Sequence, residues 1–220
     1  MELFIDRADA GRRLADVLGG FAGEDLVVLG LPRGGVAVAY EVARALDAPL
    51  DVVLVRKVGV PRAPELAMGA VGEHGVVVRN EDVLSAAGID EAVFELGVRV
   101  AQEQVERRAR AFRGDRPAPD LTGRTVLLVD DGIATGATAR AACRIVRAQQ
   151  PARLVLATPV AAPAALAALR AEADEVVCLA APRHFGAVGQ FYVDFTATAD
   201  EEVADLLQRA AERYAGGVGR

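Results

Sequence analysis

Continuous apolar runs alternate along the chain with Ala-rich stretches of helical spacing. The runs are residues 26–29, ending at Gly30; 51–55, ending at Arg56 and Lys57; 125–129, ending at Asp130 and Asp131; 153–158, ending before Pro159; and 175–179. Unbroken apolar character is what strands covered on both faces need, so these runs predict parallel strands. Residues 36–46, 137–149 and 161–171 read as connecting helices, and the repeated βα order predicts an α/β fold with a doubly wound, mainly parallel sheet. Residues 58–119 break the rhythm with a Pro/Gly-rich loop, a short extended pair (66–71 and 75–78) and a helix over 90–112. That helix carries Phe94, Val98, Ala101, Val105 and Phe112 on one face, and its Arg107, Arg108, Arg110 and Arg113 read as a solvated face. The segment is expected to be an insertion that folds as a cover over one end of the sheet. Val203, Leu206, Leu207, Ala210, Ala211 and Tyr214 predict a C-terminal amphipathic helix docked on the core. No repeat or interdomain linker interrupts the chain, so residues 1–220 read as one domain.

Composition narrows the function classes. A chain of 220 residues, 52% hydrophobic and 25% charged, is not disordered and needs no disulfide or metal staple to bury a core. No apolar run reaches the roughly 18 residues of a membrane span, and the first six residues lack the basic start and apolar stretch of a secretory signal. Cys143 and Cys178 read as small core residues rather than a disulfide framework, which points to the cytoplasm. The net charge of −6 argues against nucleic acid as a partner. His74 and His184 have no companion at metal-ligand spacing. Of 25 basic residues, Lys57 alone is lysine. In a chain so drifted toward arginine, that survivor marks either a place where a compact ammonium is wanted or a chance surface position.

Chemistry concentrates at strand ends, where parallel sheets bind ligands. Residues 126–138 run from a buried strand through Asp130 and Asp131 into a Gly/Thr turn and a helix. The backbone N–H groups of Ala134, Thr135, Gly136, Ala137 and Thr138 would face an anion at that helix N-terminus. Gly136 lets the backbone approach closely, and the two hydroxyls add donors. The adjacent carboxylates suit vicinal sugar hydroxyls, so together the parts describe a phosphorylated ribose. The segment is neither a P-loop nor a dinucleotide fingerprint. A phosphorylatable receiver module would need a further strand-end Asp and a later Lys, and no such pair follows; acids that merely cap a helix are the bland alternative. At the first strand end, Gly30-Leu31-Pro32-Arg33-Gly34-Gly35 is a glycine-bracketed turn with one cation.

Residues 126–138 closely resemble, at all thirteen positions, the phosphoribosyl pyrophosphate (PRPP) signature of type I phosphoribosyltransferases. The Leu-Pro-Arg-Gly-Gly turn and the helical insertion are most similar to uncharacterised bacterial members. The resemblance implies a Mg²⁺-dependent transferase, with a place in nucleotide salvage, that moves phosphoribose from PRPP to a nitrogen nucleophile such as a nucleobase. It implies Asp130, Asp131 and Lys57 as catalytic groups, and a pyrophosphate loop of Arg33, Gly34 and Gly35 with a cis or strained peptide. Arg56 and Lys57 would meet pyrophosphate oxygens, and residues 134–138 the 5′-phosphate. Mg²⁺ would lie near Asp130 and Asp131 but bind mainly through PRPP. Gly59, Pro61 and Pro64 would belong to a closing cover, with Glu65 either a proton-transfer group or a surface carboxylate. By a looser likeness to hypoxanthine-guanine enzymes, Phe185 would stack on the base and Asp194 lie near the metal; a core role for Phe185, Tyr192 and Phe195 stands beside this. Ala134 departs from the acid that many 6-oxopurine enzymes carry, so adenine, a pyrimidine or another nucleophile stays open. Relatives commonly pair as homodimers, and the fold also serves non-catalytic PRPP-binding regulators.

Overall fold

The computed structural model describes residues 2–217; Met1, part of the amino-terminal reading above, lies outside the described residues. Five parallel strands, β1 (Leu26–Gly30), β2 (Leu50–Val52), β6 (Thr125–Val129), β7 (Arg153–Val160) and β8 (Glu175–Ala180), form the central sheet in the order β2-β1-β6-β7-β8. Strand periodicity divides their side chains between two layers. Val28, Leu127, Val129 and Val155 pack under α1 (Arg7–Val17), α2 (Gly34–Leu46) and α7 (Asp200–Gly217), whereas Val27, Leu29, Val126, Leu128 and Leu154 meet α5 (Ala137–Arg147) and α6 (Pro163–Leu169). The sheet is therefore doubly wound, dry on both faces along β1, β6 and β7 and half-exposed along the edge strand β8.

The segment between β2 and β6 folds separately. Strands β3 (Arg56–Val60), β4 (Ala63–Val71) and β5 (Val77–Arg79) make a three-stranded antiparallel sheet, followed by α3 (Glu81–Ala87) and the long α4 (Glu91–Arg113). Two expectations change here. The second sheet strand stops at Val52, because its ladder with β1 ends at the Gly30–Val52 pair; Arg56 and Lys57 open the antiparallel sheet instead. Arg113 is not part of a solvated face. Its guanidinium, 5% exposed, is buried against Asp51 and Glu73 and donates to the Val52 carbonyl, which fastens the end of α4 to β2.

Helix α1 is an element the apolar pattern did not predict. Asp6 caps it by accepting from the Asp9 N–H at 2.7 Å, and Asp9 in turn accepts from the Ile5 N–H at 3.1 Å. The Asp6 cap sets Arg7 at the first helical position, and the Asp9 contact ties the preceding residue to the same turn. Just upstream, Phe4 lies alongside Tyr192, and the N–H groups of Val193 and Asp194 donate to the Phe4 and Ile5 carbonyls. The amino-terminal segment thus pins the loop that follows β8.

Candidate active site

The ends of β1 and β6 lie side by side, with Leu29 opposite Leu128 and Gly30 opposite Val129. The Leu31 N–H donates to the Val129 carbonyl at 2.8 Å, so the Leu-Pro-Arg-Gly-Gly turn runs directly over Asp130 and Asp131. The fit leaves no room for a side chain. A methyl group on Gly34 would stand 1.9 Å from Asp131 Oδ2, and one on Gly35 2.8 Å from the Val129 carbonyl oxygen. The Pro32–Arg33 peptide is cis.

Asp131 is held on every side but one. Its Oδ2 accepts from Arg7 Nε at 2.7 Å, its N–H donates to Asp130 Oδ1 at 2.9 Å, and its carbonyl accepts from the Tyr192 hydroxyl at 2.5 Å. Oδ1 makes no hydrogen bond among the described residues, which leaves it for a ligand. Burial, followed by repulsion from Asp131, holds the Asp130 carboxyl well above the usual range. Asp131 is paired to the Arg7 cation, whereas Asp130 has no cationic partner within salt-bridge distance among the described residues.

Beyond the acids, Ile133 pairs with Ala161, and the chain then turns through exposed Ala134 and Thr135. Gly136, at φ +75°, is the N-cap of α5. Only glycine takes that left-handed conformation readily, and here it opens the helix so that the first amides, those of Ala137 and Thr138, stand at its positive end. Thr135 Oγ1 lies 3.4 Å from the Ala137 nitrogen. The turn has the exposed donors that an anion requires.

Arg56 and Lys57, neighbours on one strand, point into different cavities. Arg56 lines a cavity of about 390 Å³ with Pro32, Thr138 and a face of α4 that includes Arg107 and Arg108. Lys57 and Glu65 line a smaller one, about 180 Å³, against Arg140 and Arg144 of α5. Arg33, Gly34, Gly35, Arg56, Asp130, Asp131 and the 134–138 turn thus meet at one end of the sheet, with Lys57 on the far side of the start of α5.

Phe185 and Asp194, assigned to base and metal, both lie on the loop after β8, which reaches the acids through the Tyr192 hydroxyl. Phe185 packs on the Phe191 ring at 5.1 Å, beside the apolar cluster of Phe4, Val160 and Tyr192. Asp194 is exposed, and its carboxylate accepts from the Thr196 N–H and hydroxyl, which draws its pKa down. It lines a third cavity, beyond Arg7, and does not join Asp130 and Asp131. No cluster of three metal-ligating side chains forms among the described residues, and His74 and His184 are both exposed. Burial pushes the Cys143 thiol up to about 12, as suits an inert core residue. Two residues that touch Asp131 escaped the sequence: Arg7 and, in that contact, Tyr192. For Arg7 the available signal was the Asp6/Asp9 cap.

Similarity to known proteins points to one family. A family model described as "Phosphoribosyl transferase domain" matches residues 6–196. Two Mycobacterium tuberculosis proteins, Rv0571c of strain H37Rv and MT0597 of strain CDC 1551, each carry the name "Putative phosphoribosyl transferase". Both are 53% identical over 215 residues, covering 98% of this chain and 48% of their own length. The chain thus spans about half the length of these curated relatives. The crystal structure of TT1426 from Thermus thermophilus superposes with a TM-score of 0.87 at 47% identity, over 95% of this chain and 99% of that one. Matched along nearly its whole length, with the acidic pair, the amide-lined turn and the glycine turn together at the carboxyl ends of β1 and β6, the chain belongs to the phosphoribosyl transferase domain family.

Proposed function

We propose that the protein is an enzyme that transfers phosphoribose from PRPP to a nitrogen nucleophile, probed first as a nucleobase, with release of pyrophosphate. The observation that carries this reading is the close approach of Gly34 to Asp131, which sets the cationic glycine loop against the carboxylate pair at the strand end that leads into the amide-lined turn. In the reaction, the C1–O bond to pyrophosphate breaks and a C1–N bond forms. The acceptor nitrogen loses its proton, and the bonding electrons leave with the diphosphate.

Each part answers one charge. Residues 134–138 take the 5′-phosphate through backbone amides. Asp130 and Asp131 accept from the ribose hydroxyls and stabilise the positive charge that grows on the ring, while Arg33 and Arg56 meet the leaving diphosphate. Lys57 contributes a cation at the other flank of α5. A carboxylate pair without a third protein ligand fits Mg²⁺ that arrives with PRPP and keeps its diphosphate and water ligands. When bound, the ion neutralises diphosphate charge. Phe185 and Asp194, on the loop after β8, are assigned to the acceptor and the metal. No described helix is long and apolar enough to cross a membrane. A cytoplasmic homodimer completes this reading, and gel filtration tests the pairing.

The deciding experiment is pyrophosphate release from PRPP and Mg²⁺ across a panel of purines, pyrimidines and other amines. Release that depends on one acceptor is the expected result. Saturable PRPP binding without release for any acceptor would favour a PRPP-sensing regulator.

A further inference from the structure

The cavity between the β1 loop, the end of β2 and α4 carries positive charge that nothing inside it offsets. Arg56, Arg107 and Arg108 line it, and no carboxylate does so among the described residues. Arg56 and Arg107 are exposed and make no ion pair among those residues. Gln104, Arg107 and Arg108, spaced i, i+3, i+4, share one face of α4 and turn it toward Thr138 and Pro32. Three guanidinium groups around one cavity repel one another in a chain that is acidic overall, and their planar forks match phosphate oxygens.

One acid stands at the rim. Oδ1 of Asp200, the first residue of α7, is 3.5 Å from Arg108 Nη2 and 3.9 Å from Arg33 Nη1. A single carboxylate oxygen therefore spans the gap between the insertion helix and the glycine loop, where a bridging anion would sit.

We infer that Arg107 and Arg108 of α4, with Arg56, form a second wall of the diphosphate site opposite the β1 loop, and that Asp200 holds the Arg33–Arg108 gap until diphosphate displaces it. This assignment rests on the PRPP reading above. It gives the insertion a direct part in binding the leaving group. It also makes Asp200 a built-in competitor whose removal strengthens the site.

Equilibrium titrations with inorganic pyrophosphate plus Mg²⁺, and separately with ribose 5-phosphate, test the assignment. Arg107→Ala and Arg108→Ala are each expected to weaken pyrophosphate binding on the order of tenfold, the loss typical of one charge-assisted contact, and to leave ribose 5-phosphate binding unchanged. Arg108 also lies over the Phe112 ring, so Arg108→Gln serves as a second variant, with thermal melts to verify the fold. Asp200→Asn is expected to tighten pyrophosphate binding several-fold. Asp205→Asn, on the same helix but paired with Arg209, should not. Pyrophosphate affinity indifferent to both arginines, or equal effects of the two aspartate changes, overturns the inference. Should the wild-type protein bind neither ligand, the PRPP reading itself falls. If it binds both and the arginines do not matter, only the second wall falls.

Discussion

Arg7 holds Asp131 from outside the sheet: its Nε donates to Asp131 Oδ2 at 2.7 Å, and both side chains are largely buried. The same guanidinium donates through Nη1 to the Thr196 carbonyl at 2.6 Å and lies 4.0 Å over the Phe195 ring. One side chain therefore ties the first turn of α1 to the acidic pair and to the loop after β8. With Oδ2 engaged, Asp131 presents Oδ1 in a fixed direction, and pre-set geometry is what a transition-state contact needs.

Arg7→Ala should therefore lower kcat/KM for PRPP by roughly ten- to a hundredfold, the range for losing a hydrogen bond to a charged group. Guanidinium ion added to the assay is expected to restore part of the activity, and Arg7→Lys to retain part. A loss that neither remedy reduces, accompanied by a matching fall in melting temperature, would make Arg7 structural only.

Asp130 trades stability for function. Its folded carboxyl keeps a proton well above the ordinary value near 3.8, because burial and the Asp131 charge oppose ionisation. Across that window the unfolded chain binds fewer protons than the native one, so stability falls as pH rises from the unfolded pKa to the folded one, and the penalty persists above it. Asp130→Asn carries no such charge. It should melt higher than the wild type at neutral pH, with the gap closing toward pH 4, while turnover drops by about a hundredfold or more. Melts from pH 4 to 8 check the sign; a variant that melts lower at neutral pH contradicts it.

Gly34 has no space for a side chain. A methyl there meets Asp131 Oδ2 at 1.9 Å and Arg7 Nε at 2.6 Å, so the pair of side chains must shift together or the loop must lift. Gly34→Ala is expected to weaken PRPP binding at least tenfold and to cost about 1–3 kcal/mol of stability, as overpacking does. Gly19→Ala meets nothing within 4 Å and serves as the control, with both effects near zero. Calorimetric titration of PRPP into each variant separates them.

What the sequence disclosed follows from the range of each signal. The sheet was legible because β1, β6 and β7 are buried on both faces and must be apolar without interruption. The β6 turn was legible because strand, acids, Gly136 and helix are contiguous. The partners of Arg7 and Arg113 were not: Asp131 lies 124 positions from Arg7, and Asp51 lies 62 from Arg113. An arginine that closes such a distance has the same local pattern as one facing water. Arg107 and Arg108 are exposed, as a solvated face requires, and what their pattern did not disclose is the cavity they line. Helix α1 carried a local signal, the Asp6/Asp9 cap, but few apolar residues to draw attention to it.

The clamp at Arg113 extends this to stability. Its Nε donates to both Asp51 oxygens, at 2.6 and 2.8 Å, and its Nη2 to the Val52 carbonyl at 2.9 Å and Glu73 Oε2 at 2.8 Å, while Nη1 pairs with Glu73 Oε1. Burial still draws the Asp51 pKa upward against the arginine's pull, so the cost of desolvation is large. Removing one partner leaves a buried charge unmatched. Arg113→Met should therefore destabilise the protein by about 3–5 kcal/mol, and adding Asp51→Asn should recover part of that loss by removing the stranded carboxylate. Urea unfolding of the single and double variants gives the coupling. Val53 to Arg56, which line the cationic cavity, directly follow the clamped strand. Arg113→Met that remains folded should accordingly bind pyrophosphate more weakly than the wild type; full affinity in that variant would show that the end of β2 keeps its position without the clamp.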